Sequence, residues 1–377
     1  MLRKLAATPE IKKSATFGLD VRTQSRSFLG ASVPMLERVV LHIGLAKTGT
    51  KTLQAAMTLN RDLLRRHGFV YPALPGERHA GLAVYATEEK ADPGLRAHLG
   101  LGESDRLVRF IDEFPSGLTA AVAGPDIHTA ILSNEYCSTG LSTIEEIARL
   151  HRLLSSLARE IRVIVYLRRQ DHLATSLYSA RMKNGGQTSE FEFAEGFWFD
   201  YLELLDMWAE IFGRDHLVVR IFEPAQLHQD GLLADFSIAM GFEPFQELQR
   251  PPHMNMSLDV HALEFMRRFN AHVPLLAGEQ LNPSRGPIVL AIADISNGDR
   301  LVPSAEAAAA FLDKYAASNA AVARKYLDRE NGVLFTESPP HNRPERLPSL
   351  DIDKAIEIAA KLWQWQVRRF KQWDKNE

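Results

Sequence analysis

Four short stretches of the chain, residues 38–43, 129–132, 161–167 and 216–222, are apolar at most positions instead of at every second one. Continuous apolar runs of this kind suit strands covered on both faces. Around them the apolar residues fall at helical spacing, as in residues 50–66, where Leu53, Met57 and Leu64 share one face. Strand and helix in repeated alternation predict a mostly parallel sheet wrapped by helices, an α/β three-layer domain.

Past Pro251 the pattern changes to helix and loop. Residues 258–270, 304–330 and 353–373 read as amphipathic helices, and no further strand is expected, so the C-terminal region is predicted helical. Pro339, Pro340, Pro344 and Pro348 mark a surface linker before the last helix. Residues 1–36 mix Lys, Ser, Thr and Gly without apolar periodicity, which predicts a mobile arm. The expected organisation is therefore an arm over 1–36, a main domain over 37–336, and a linker with a terminal helix over 337–377. There is no internal repeat.

Composition narrows the function. With 377 residues, 45% hydrophobic and 24% charged, the chain can bury one large core or two modest ones. A net charge of −3 carries no basic excess, which argues against a nucleic-acid partner. The single Cys137 excludes an internal disulfide framework and a zinc site of several thiolates, and fits a cytoplasmic location. Arg3, Lys4, Lys12 and Lys13 are not followed by the apolar stretch of a secretion signal. No run approaches the roughly 18 apolar residues that span a bilayer, so no membrane-spanning segment is expected.

The chemistry begins where the first apolar run breaks. Gly44-Leu45-Ala46-Lys47-Thr48-Gly49-Thr50-Lys51-Thr52 lies between a predicted strand and a predicted helix. In that setting backbone N–H groups and the helix N-terminus cradle a phosphate. In the nucleotide-kinase loop, G-x-x-x-x-G-K-[ST], the lysine follows the second glycine; here Thr50 stands between Gly49 and Lys51, and Lys47 supplies a charge inside the loop. The K-T-G-T pattern after an apolar strand resembles the 5′-phosphosulfate loop of the sulfotransferase family, whose bacterial members share a P-loop-like fold. The resemblance implies 3′-phosphoadenosine-5′-phosphosulfate as donor and 3′,5′-adenosine diphosphate as product, without a metal. It places Lys47 at the bridging oxygen and Gly49, Thr50 and Thr52, next to Thr48, around the 5′-phosphate. Lys51 either adds a phosphate contact or faces solvent.

A second segment sharpens this. Arg168 closes the third run, and a helix expected over 171–183 carries Ser176 on its second turn, so both can face one anion. An arginine at a strand end followed eight residues later by a helical serine resembles the same family's 3′-phosphate motif. A guanidinium with a hydroxyl recognises such a phosphate through charge-assisted hydrogen bonds. Arg169, Arg181 and Lys183 are expected on a solvated face.

Transfer to a hydroxyl needs a base. Glu135, just past the second run, resembles the strand-end glutamate of carbohydrate-type members, and is otherwise a cap of the next segment. His79 is the alternative; His42 sits inside a strand, and His151 and His172 sit on helices where packing is the ordinary role. Phe197 to Tyr201 and Trp208 read as core packing. Asn255-Met256-Ser257-Leu258, Ser318-Asn319 and Leu334-Phe335 also resemble bacterial members. A loop at Asn282 to Gly286 is a further acceptor-side candidate, and the acceptor favoured is a carbohydrate or glycolipid. Competing readings are a P-loop kinase, with Lys51 as its phosphate lysine and Glu135 near magnesium, and a non-catalytic nucleotide-binding protein.

Overall fold

The computed structural model describes residues 35–74, 77–193, 196–252, 257–277, 280–337 and 344–373. The expected arm up to residue 34, and Asn255, Met256, Pro339 and Pro340, lie outside them. Among the described residues seven strands run in chain order as β1 (Leu36–His42), β2 (Phe69–Val70), β3 (Thr129–Ser133), β4 (Ala158–Leu167), β5 (Leu217–Ile221), β6 (Leu276–Ala277) and β7 (Gln280–Leu281). After β1 come the helices α1 (Thr50–Leu59) and α2 (Arg61–Arg66), and between β2 and β3 come α3 (Gly81–Thr87), α4 (Pro93–His98) and α5 (Ser104–Val122). Helices α6 (Tyr136–Gly140) and α7 (Ile144–Ser155) precede β4, and α8 (Gln170–Lys183) and α9 (Tyr201–Phe212) precede β5. Then follow α10 (Leu232–Met240), α11 (Val260–His272), α12 (Arg285–Ile295), α13 (Ala305–Asp313), α14 (Ala316–Leu327) and α15 (Ile352–Trp373).

The four expected strands are present, and with β2 they form one parallel sheet of order β2-β3-β1-β4-β5. The apolar runs are continuous because both faces are covered. Val39, Leu41, Leu132, Val163 and Val165 pack against a layer that includes Val84 of α3, Leu118 of α5, Leu150 of α7 and Trp208 of α9. The intervening Val40, Ile131, Ile164 and Tyr166 pack against Met57 of α1, Leu64 of α2 and Phe236 of α10. Each fully buried aliphatic or aromatic side chain contributes about 1.5–3 kcal/mol, so the strand ends are anchored on a rigid platform. A third cluster joins Tyr178 and Met182 of α8 to Leu263 of α11, Ile292 of α12 and Leu362 of α15.

Three details differ from the sequence pattern. The helix expected over 50–66 breaks at Asn60, whose amide bonds Ala56 O and both the N–H and C=O of Gln249. The one expected over 304–330 breaks between α13 and α14. Strand β2 and the antiparallel pair β6-β7 were not expected, since two-residue strands carry no periodicity.

Candidate active site

The chain leaves β1 for β2 and β3 on one side of the sheet and supplies β4 and β5 on the other. A crevice therefore opens at the carboxyl ends of β1 and β4, the place where open α/β sheets bind ligands. The loop after β1 enters it through three left-handed residues, Gly44 (φ 54°), Lys47 (φ 66°) and Gly49 (φ 82°). Gly49 is the N-cap of α1 in left-handed backbone that strains any side chain, and a Cβ there would also have to displace Leu232 Cδ2, 2.3 Å away. A left-handed lysine costs about 1–3 kcal/mol and needs support. Arg168 gives it, donating from Nη1 to the Lys47 carbonyl oxygen at 2.7 Å.

Inside the loop the Thr48 hydroxyl donates to Leu45 O at 2.7 Å, so it stiffens the turn from within. Thr50 is 2% exposed, and its Oγ1 has no hydrogen-bond partner among the described residues. An unpaired buried hydroxyl costs about 1–3 kcal/mol, and an oxyanion at the N-terminus of α1 would relieve that cost. Thr52 and Lys51 are half-buried on the first turn. The loop thus fits the 5′-phosphosulfate end of the donor that its sequence implies.

Arg168 also borders a cavity of about 160 Å³ whose wall includes His172, Thr175, Ser176 and Ser179, one face of α8, with Arg300 opposite. Thr175 donates its hydroxyl to Asp171 O, and Ser179 Oγ accepts from Leu258 N. The hydroxyl of Ser176 has no partner among the described residues, although the residue is 5% exposed. Arg168 and Ser176 are brought together as expected, and Arg300 joins them from a segment without any motif.

Two residues expected on a solvated face are elsewhere. Arg169 is buried in a bidentate pair with Asp171 (2.7 and 2.8 Å) and also donates to His172 Nε2, while Thr336, which neighbours Glu337, is fastened by the buried Glu223 carboxylate. Lys183 is half-buried at the end of α8, and burial followed by the charges of Lys47, Lys51 and Arg300 pushes its pKa down to about 8. Arg181 is exposed, as expected. Lys47 is lowered too, by burial first and then by Lys51 and Arg168, with Glu135 opposing. Mutually repelling cations in one crevice form a site that a multiply charged anion stabilises.

Glu135 lies directly against the loop: a Cβ on Gly44 would be 3.0 Å from the Glu135 Cα. It precedes α6 but makes no side-chain cap, and no described residue donates a hydrogen bond to its half-buried carboxylate. The structure therefore does not use it as the cap that was the alternative. His79 is committed on both nitrogens: Nδ1 accepts from Ser133 N at 3.1 Å and Nε2 donates to Pro72 O at 3.0 Å. Burial pushes its pKa down to about 4, and it is unfit as a base. His42, pushed down to about 3, is enclosed beneath the sheet end.

Arg285, from the loop expected near the acceptor, is a buried staple instead. It donates to Val273 O, Lys183 O and Asn270 Oδ1 and so fixes the end of α8. Phe199, Tyr201 and Trp208 are core residues, as expected.

No family model matches the chain. A curated relative, an uncharacterized protein of Archaeoglobus fulgidus, is 25% identical over 223 residues, 57% of this chain. The match spans 59% of that relative's length. Among solved structures, a sulfotransferase from Alicyclobacillus acidocaldarius aligns with a TM-score of 0.36 and 16% identity over 62% of this chain and 91% of that one. Among the described residues no helix is long and apolar enough to cross a membrane.

Proposed function

We propose that the protein is a sulfotransferase that moves a sulfuryl group from 3′-phosphoadenosine-5′-phosphosulfate to a hydroxyl on a carbohydrate or glycolipid. The observation that carries this reading is the hydrogen bond from Arg168 to the Lys47 carbonyl. It sets an oxyanion loop and an Arg168–Ser176–Arg300 cavity side by side, which suits a nucleotide charged at both its 5′ and 3′ positions.

The donor supplies the activated sulfuryl group on a phosphosulfate anhydride. Thr50, Thr52 and the N–H groups at the start of α1 hold the 5′-phosphate, while Arg168, Arg300 and the Ser176 hydroxyl hold the 3′-phosphate. Lys47 neutralises the negative charge that grows on the leaving phosphate oxygen as the sulfur–oxygen bond breaks. Glu135 takes the proton from the acceptor hydroxyl whose oxygen forms the new bond to sulfur. No described residue bonds its carboxylate, which is left ready to accept.

Calorimetric titration with 3′,5′-adenosine diphosphate, and separately with ADP and magnesium, tests the donor class. Tight binding of the first alone is expected; preference for the second replaces this reading with the kinase, and binding of neither removes both.

A further inference from the structure

The last helix has two apolar faces and the fold uses one. Helix α15 docks on the C-terminal cluster through Ala355, Ile358, Leu362 and Trp365, with Ile358 and Leu362 buried and Trp365 Nε1 donating to Asp294 Oδ2 at 2.8 Å. Ile352, Ile356, Ala359 and Trp363 follow one another at helical spacing and fall within about 60° around the axis, roughly a third of a turn from the docked face. This second stripe is open. Ile352 is 77% exposed, Trp363 71% and Ile356 61%, the highest values of any large apolar side chain among the described residues. Ala359 and the neighbouring Ala360 are exposed as well. A contiguous apolar patch on the order of a few hundred Å² marks an interaction site, because water meets it at a cost that burial removes.

The charges beside the stripe say what covers it. Residues 351–357 hold Asp351, Asp353 and Glu357 against Lys354, a net charge of −2, whereas residues 361–369 hold Lys361, Arg368 and Arg369 without an acid, a net charge of +3. Asp353, Glu357, Lys361 and Arg368 are exposed, and helical spacing sets them along one flank of the stripe. Within the helix Glu357 already accepts from Lys354 (2.8 Å) and Lys361 (2.6 Å), so Asp353 and Arg368 carry the charge at the two ends of that flank. A helix that lies on an anionic membrane is rich in Lys and Arg along its whole polar face, which the acidic first half of α15 is not. A helix acidic at one end and basic at the other is instead complementary to its own reversed copy.

We propose that this stripe is a dimer interface, in which α15 packs antiparallel against α15 of a second copy of the chain about a two-fold axis near Ala359 and Ala360. Ile356 then faces the partner's Trp363, Ile352 faces the partner's Val367, and Asp353 lies toward the partner's Arg368. The small alanines at the crossing let the two backbones approach closely. One helix pair is an interface at the low end of stable sizes, so monomer and dimer exchange at about micromolar concentration. The dimer holds whatever the site on the sheet catalyses.

Sedimentation equilibrium of the full-length protein from about 0.5 to 100 µM tests this, and a monomer that converts to a dimer across that range is expected. Trp363→Ser and Ile356→Glu should each raise the dimer dissociation constant about a hundredfold, because a two-fold interface loses each contact twice. Thermal unfolding of both variants at concentrations where the wild type is monomeric should match the wild type, since the replaced side chains are exposed in the single chain. Asp353→Lys and Arg368→Glu should each weaken the dimer about fivefold, and the double variant should recover most of that loss. A monomer at every concentration, a dimer that survives both apolar substitutions, or charge reversals that do not compensate each other overturns the proposal. So does a monomer that binds phosphatidylglycerol vesicles and loses that binding in Trp363→Ser, which gives the stripe to a membrane.

Discussion

The two clefts beside the phosphate loop are built on different principles. The Arg168 cavity is small, its polar wall is one face of α8, and its arginine is tied to the loop backbone. The second cleft, which Arg61 and Arg78 line beside α1, has more than twice the volume, and one wall is a segment with two consecutive left-handed residues, Arg78 and His79, fastened by Asn134 and Ser133. A wall made of strand ends and a helix face fixes anion positions closely and suits an invariant nucleotide. A wall made of loop, held at a few hydrogen bonds, changes shape with few substitutions and suits the partner that differs between enzymes. Cationic side chains line both clefts, so the difference lies in rigidity and size.

Lys47 lies on the loop itself, its carbonyl held by Arg168, and its removal should have the largest effect. In Lys47→Ala, release of 3′,5′-adenosine diphosphate from the donor should slow about a hundredfold or more, with donor affinity much less changed, because the ammonium acts on charge that develops in the transition state. An unchanged turnover would remove the role. A parallel loss of affinity would mean that the lysine serves binding on the Arg168 side only.

Arg168→Ala comes next and separates two uses of one side chain. If the guanidinium binds the 3′-phosphate, affinity for 3′,5′-adenosine diphosphate should fall about thirtyfold, in keeping with a charge-assisted hydrogen bond, while affinity for adenosine 5′-monophosphate stays nearly constant. Equal losses for both nucleotides in calorimetry would show that Arg168 acts through the Lys47 carbonyl it supports.

How far the site was legible follows from how local each part is. The Lys47 loop could be read because glycines, lysine and hydroxyls lie in nine consecutive residues between a strand and a helix. Arg168 and Ser176 are eight residues apart across one strand-to-helix junction. Arg300 lies far along the chain between Asp299 and Leu301 and reaches the cavity only through the packing of the C-terminal helices. Arg61 and Arg78 likewise line one cleft from separate segments that no pattern joins. The roles of Arg169 and Arg285 were hidden for another reason: arginine is ordinarily exposed, and only the buried Asp171 carboxylate and a set of carbonyl oxygens keep these two inside. The sheet itself was readable because four of its five strands are apolar on both faces, whereas β2 has only two residues.

Lys183 offers the smallest effect and the finest test of how the two clefts share their charge. Its pKa is pushed down to about 8 by burial and by cations from both sides, Lys47 and Lys51 on the loop and Arg300 at the cavity. It is therefore charged at neutral pH and loses that charge as pH rises through 8, so anion affinity should decline in the same direction. The nucleotide phosphates complete their own ionisation near pH 6, which leaves the interval from about pH 7 to 9 to the protein. Over it, affinity for 3′,5′-adenosine diphosphate should fall about fivefold, less than the full tenfold per unit because a half-exposed ammonium is screened. In Lys183→Gln the affinity at pH 7 should already be lowered and the decline should flatten. A decline that persists unchanged in the variant would assign the titration to Lys47, whose pKa is lowered by burial, Lys51 and Arg168, and would make Lys183 a bystander of the cluster.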